Sequence, residues 1–169
     1  MSKVGKEARS FEVITIEDLH HLAEIARQDR DDFFDKYPEW RSLYADRFLC
    51  SALCQGAALH YFNGSVGIKD FDVYNFFRNN IEKRWYAKRL KNYDFGSPKF
   101  GQSIDRPNYS GRRVDVLGRG ISCEADDDPI ESLHQYLLDG KTETARLLAA
   151  KAVVMLEPIN LIGKVIWPE

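Results

Sequence analysis

The spacing of apolar residues along the chain changes period several times, and each change predicts an element. From Thr15 onward Ile16, Leu19, Leu22, Ile25 and Ala26 recur every three to four positions, which puts them on one face of a helix. Thr15 followed three residues later by Asp18 is a capping pair, and Ile14 can staple onto Leu19. His20 and His21 lie in this helix and are expected at its surface or edge, since no acidic or Cys partner stands at metal-ligand spacing. The acidic stretch Asp31–Asp35 leads to Tyr37-Pro38, and a proline disfavours helix in the residue before it, so a boundary falls there. A second helix is expected from about Glu39, carrying Trp40, Leu43, Tyr44 and Phe48 inward. Residues 1–12 are polar and expected to fray.

Phe48–Gln55 is a short apolar run that ends in Gly56. Two readings fit it. As a buried strand it delivers the chain to Gly56-Ala57 and a new helix, AALHYF; otherwise one helix runs from Glu39 to Phe62 through a tolerated glycine. Residues 63–67 form a loop, and Asp70–Phe77 alternates at period two as a strand does. Residues 81–92 read as a basic helix burying Ile81, Trp85 and Leu90 or their neighbours. Residues 93–111 form a long loop rich in Gly, Pro, Ser and Asn, a feature that in a compact domain is usually functional. Arg112–Leu117 is a further strand, and Glu124–Asp128 opens a helix led by Pro129. Helices are expected over 130–139 and 142–156, with Leu133, Leu137, Leu138, Ala145, Leu148, Ala149, Ala152 and Met155 facing the core. Leu161–Trp167 closes the fold as a last strand or a docked tail. The pattern is α+β, a small mixed sheet flanked by helices, and at 169 residues it is expected to form a single domain.

Charge changes the picture more than composition does. An apolar content of 44% with 30% charged residues places the chain among globular rather than disordered proteins. No apolar run approaches the length that spans a bilayer, and the N-terminus has no apolar core of a signal peptide. Cys50, Cys54 and Cys123 are odd in number and adjoin apolar runs, as reduced thiols of a cytoplasmic protein do. Net charge is −2, yet residues 78–119 hold eleven Lys/Arg against four Asp/Glu. Such a segment suits a polyanionic partner, or is simply a solvated basic face.

The candidate chemistry lies in three aspartates. Asp70 and Asp72 alternate with Phe71 and Val73, so the two carboxylates share one face of a strand while the apolar residues enter a core. Asp115 stands between Val114 and Val116 in the later strand. Like charges so placed repel unless a cation lies among them, and three carboxylates make an oxygen site for a divalent metal such as Mg²⁺. On the strand reading of 48–55, the amides of Gly56 and Ala57 open a helix and are free to bind phosphate.

Gln55-Gly56-Ala57, twelve residues, Asp70-Phe71-Asp72-Val73 and then Val114-Asp115-Val116 resemble the motif set of the DNA polymerase β-like nucleotidyltransferase superfamily. The wording GAALHYFNGSVGIKDFDV is most similar to its small bacterial AbiEii-type and minimal nucleotidyltransferase branch, some of it toxin–antitoxin-like, and the likeness covers about residues 40–120. It implies a polymerase β palm-like fold and transfer of a nucleoside monophosphate from an NTP to a hydroxyl of an RNA (tRNA among them) or a protein. It further implies Mg²⁺ or Mn²⁺ held by Asp70, Asp72 and Asp115 as catalytic residues. Gly56 and Ala57 would bind the β/γ phosphates, with Lys69, Arg113 and Arg119 as further NTP contacts. Lys88, Arg89 and Lys91 in the basic segment would bind the acceptor. Two residues depart from the pattern: Ala57 lacks the hydroxyl of the family's Gly-[Gly/Ser], and Gln55 is polar where the family is apolar. Gly64-Ser65 is an alternative phosphate loop. A nucleic-acid-binding module on the same fold without turnover is the alternative function.

Overall fold

Helix α1 (Ile16–Lys36) starts where its cap predicts: the Asp18 amide donates to Thr15 Oγ1 at 3.3 Å and the Thr15 amide to Asp18 Oδ2 at 2.8 Å. The computed structural model describes residues 9–85 and 90–168. A short helix, α2 (Pro38–Tyr44), follows the proline boundary, and β1 (Phe48–Cys54) is buried over almost its whole length. The single long helix over 39–62 is therefore excluded, and Phe48 opens a strand rather than closing a helix face. Helix α3 (Gln55–Asn63) follows at once and ends in Gly64, which takes the left-handed conformation at φ +68° that glycine adopts without a side-chain clash. Then come β2 (Phe71–Arg78), β3 (Leu90–Asp94), a single 3₁₀ turn at Pro98–Phe100, and β4 (Arg113–Ile121). Helix α4 (Pro129–Asp139) is capped by Asp128 and α5 (Glu143–Ala149) by Thr142. Strands β5 (Val153–Glu157) and β6 (Val165–Trp167) complete one six-stranded sheet in the order β3-β4-β2-β1-β5-β6. Only β2 and β4 run parallel; the other neighbours are antiparallel.

Helices cover both faces of this mixed sheet. On one, Leu53, Phe71, Val73, Val114, Val116, Val154 and Leu156 pack against Leu19, Leu22 and Ala26 of α1 and Ala57 and Ala58 of α3. On the other, Cys50, Ala52, Cys54, Tyr74, Phe76, Val153 and Met155 pack against Leu133 and Leu137 of α4 and Leu148 of α5. Each of the Val, Leu, Phe and Met side chains among them, fully buried, stabilises the fold by roughly 1.5–3 kcal/mol. Phe71 also stacks on Phe95 and meets Phe100 edge-on, so Phe71→Ala would cost about 3–5 kcal/mol. Arg30 of α1 ties its face to the sheet: it pairs in bidentate fashion with Glu157 at 2.6 and 3.0 Å and donates to Asn75 at 2.8 Å.

Two expected helices are corrected. The expected helix over 81–92 is not borne out by its described residues: 81–83 form a bend with Ile81 96% exposed, and Leu90 begins an edge strand. Leu90–Asp94 gains its backbone partners from β4, pairing Leu90 with Leu117 and Asp94 with Arg113, and that ladder overrides the helix propensity of the Lys, Arg and Leu residues. Trp85 is buried as expected, but among Phe33, Tyr44 and Phe77. The second correction is at 142–156, where the helix stops at Ala149 and Val153–Glu157 is a strand. A run buried on both faces carries no alternation to tell strand from helix. The tail settles as strand β6, and the three thiols are free, Cys50 and Cys54 being buried. Among the described residues no helix is long and apolar enough to cross a membrane.

Candidate functional site

The pairing registers bring the aspartates together. Asp72 of β2 lies opposite Asp115 of β4 in the parallel pair and opposite Cys54, the last residue of β1, on its other side. Cys54 in turn pairs with Val153 of β5, and Asp115 with Asn92 of β3. One row across the sheet thus reads Asn92, Asp115, Asp72, Cys54, Val153. Asp70 stands two residues outward from Asp72, immediately before β2, on the same side of the chain. Beyond Cys54 the row meets the N-terminus of α3.

That N-terminus is open. Cys54, its cap residue, makes no side-chain capping hydrogen bond, so the first amides of this nine-residue helix have no side-chain acceptor. A Cβ added to Gly56 would find only the Arg9 guanidinium within reach, at 3.9 Å. Gln55 enters the turn at φ +60°, the one residue other than glycine with positive φ among those described. Backbone held in this region at the mouth of a carboxylate cluster is local strain of the kind that gathers at functional sites. Ala57 is buried with its methyl in the α1-side core, so it can offer only its amide. Gly64 and Ser65, the alternative phosphate loop, sit at the C-terminal end of α3, opposite to the N-terminus that follows Cys54.

The electrostatics follow from burial and crowding. Burial, then the charges of Asp70 and Asp115, push the Asp72 carboxyl up to about 7, against the opposing pull of Arg113 and Lys151. Asp115 is also raised, chiefly by burial, with Asp70 adding to it and Arg113 opposing. The cation already among them is Arg113: its Nη2 is 2.8 Å from Asp70 Oδ2 and its Nε 3.0 Å from Asp115 Oδ1, while Nη1 also reaches Asp105. The Nε contact has ion-pair distance but not the alignment of a hydrogen bond. Burial works against the Arg113 charge, and Asp115, Asp70 and Asp105 together outweigh it, holding the guanidinium above its ordinary value. Asn92, with its amide turned to match both neighbours, donates to Asp115 at 2.5 Å and accepts from Arg106.

The other expected contacts divide. Lys69 lines, with Asp70, Ser103, Asp105, Arg112 and Arg113, a cavity of about 190 Å³ beside the carboxylates. Arg119 is not gathered there. It lies four residues, about 13 Å, further along β4 than Asp115. Its Nε donates to Thr144 and its guanidinium sits over the Tyr74 ring. Lys91 is on edge strand β3, exposed, beside the Tyr93 ring, and Lys88 and Arg89 lie outside the described residues. Two residues escaped the sequence reading. Lys151 follows α5 two positions before Val153, exposed and in no ion pair among the described residues, yet near enough for its ammonium to act on Asp72. Asn92 was hidden in what read as a helix end.

Oxygen-only donors of this kind suit a hard cation such as Mg²⁺ or Mn²⁺, and a guanidinium already standing between Asp70 and Asp115 indicates that positive charge is accommodated there. As the side chains stand, no three His, Cys, Asp or Glu groups among the described residues form a preformed metal cage. Asp70 and Asp115 are turned onto Arg113 instead. Set beside known proteins, the chain matches no family model, and no curated protein matches it.

Proposed function

We propose that the chain is a metal-dependent nucleotidyltransferase with a polymerase β palm-like fold, moving a nucleoside monophosphate from an NTP to a hydroxyl. One observation carries the reading: Asp72 and Asp115 face each other across the parallel pair, with Asp70 one step outward, beside an uncapped helix N-terminus at Gly56. Asp70, Asp72 and Asp115 would hold Mg²⁺ or Mn²⁺, which when bound offsets charge on the entering and leaving oxygens of phosphoryl transfer. The rest falls to the chain's own groups. The amides of Gly56 and Ala57 would donate to a phosphate at a positive helix end. Lys151 and Lys69 supply cations on either flank. On this scheme Asp115 would also help take the proton of the attacking hydroxyl. The acceptor we favour is RNA, tRNA among the candidates, because residues 78–119 are basic and interleaved with aromatics; a protein hydroxyl is the alternative. Catalysis on this scheme is mainly positioning and electrostatics.

Ala57 favours a second reading, a nucleic-acid-binding module without turnover, since the residue offers no hydroxyl to phosphate. The two separate on one assay. Incubated with α-labelled NTPs, Mg²⁺ and cell RNA or protein, the wild-type chain yields a labelled acceptor and Asp70→Asn yields none. Acceptor binding without label transfer for any NTP would leave only the binding module.

A further inference from the structure

Arg113 holds a position that its neighbours on β4 do not explain. Its side chain is only 22% exposed, and its three ion-pair partners are all carboxylates, Asp70, Asp115 and Asp105. Its two Nη groups donate to Asp70 and Asp105, while its buried Nε–H meets Asp115 at ion-pair distance without the alignment of a hydrogen bond, so the hold on Asp115 is one of charge. Two of the three partners belong to the carboxylate cluster. The third, Asp105, lies on the loop between the 3₁₀ turn and β4, half exposed and outside the cluster.

We infer that Arg113 is the site's internal counter-cation: it occupies the place of a divalent ion between Asp70 and Asp115, and yields it by withdrawing onto Asp105 when the ion arrives. The inference rests on the metal-dependent reading above. The reason is charge. With the guanidinium between them, one of the two negative charges of Asp70 and Asp115 is offset, and a divalent ion approaching the same oxygens meets a like charge at contact distance. Ion and guanidinium cannot both keep those oxygens. Asp105 gives the arginine somewhere to go without losing every ion pair, and that contact is already made. Arg113 therefore sets the metal affinity of the site, as a positioning residue, and does not belong among its ligands.

The test is Mn²⁺ binding to the full, nucleotide-free chain, followed by the electron paramagnetic resonance signal of free Mn²⁺. Arg113→Met removes the competitor, and Mn²⁺ should bind about tenfold more tightly. Asp105→Asn removes the withdrawal partner at an exposed position that tolerates the change, and Mn²⁺ should bind several-fold more weakly. Arg113→Lys should fall between wild type and Arg113→Met. If Arg113→Met folds and binds Mn²⁺ no more tightly, or if Asp105→Asn tightens binding, the inference is overturned while the metal site stands. Should Arg113→Met fail to fold, the direction of change in Asp105→Asn decides alone. If neither wild type nor any folded variant binds Mn²⁺, the nucleotidyltransferase reading fails and takes the inference with it.

Discussion

Asp72→Asn should stabilise the metal-free protein, and only above a certain pH. Asp72 lies on β2, flanked on both sides by strands of the sheet, beside Asp115 and near Asp70, and its carboxyl is raised from 3.8 to about 7. In the unfolded chain the proton leaves near the ordinary value. Between the two pH values the native state therefore binds more protons than the unfolded state, so stability falls as pH rises. The loss begins near pH 4 and is complete above pH 7. A shift of this size corresponds to a ceiling of about 4 kcal/mol, shared among the coupled carboxylates rather than owned by Asp72 alone. Asparagine cannot ionise, so the variant escapes the loss. Urea denaturation in EDTA at a series of pH values should give a variant about as stable as wild type at pH 4. At pH 8 it should be more stable, by up to the ceiling. Mg²⁺ should reverse the order at pH 8, because only wild type gains binding energy from the ion. A stability difference between the two proteins that is flat from pH 4 to pH 8 would refute the crowding of carboxylates described above.

Other outcomes follow from the same row of residues. Gln55→Gly relieves a positive φ and should raise stability by roughly 1 kcal/mol, read as a higher Tm; a lower Tm would mean that the glutamine side chain is itself held by the fold. Gly56→Ala, whose Cβ meets nothing nearer than the Arg9 guanidinium at 3.9 Å, should leave Tm unchanged, and Gly56→Val should weaken NTP binding at least tenfold by equilibrium titration. Lys151→Ala should weaken binding of an NTP more than that of the corresponding monophosphate; equal loss for both would remove Lys151 from the phosphate side of the site.

The three aspartates were legible because alternation at period two is a strong signal when acids replace every second apolar residue. Phe71 and Val73 enter one core as that pattern requires. What it could not give was the partner: nothing in RRVDVLG says that this strand runs parallel to β2 or that Asp115 meets Asp72. The strand-turn-helix at Gly56 was one of two open readings, and burial of β1 on both faces decided it. Arg113 was expected to contact NTP; that it binds its own carboxylates depends on side-chain placement, which no periodicity records. Lys151 was lost because Val153–Glu157 read as the end of a helix, its burial on both faces erasing the period that distinguishes the two. Asn92 was lost with β3, where basic residues and Leu90 favour helix locally and only the non-local ladder to β4 overrules them.

The Asp72–Asp115 register also has a meaning for the fidelity of assembly. Slip β4 by one residue against β2 and Asp115 would trade places with a valine, its carboxylate thrust among Phe71, Val73 and the side chains of α1 while a valine faced Asp72. Neither face accepts the exchange. The chemistry and the sheet thus proofread one another: a chain whose two acids titrate as a coupled pair has, by that fact, closed its parallel crossover in the correct frame.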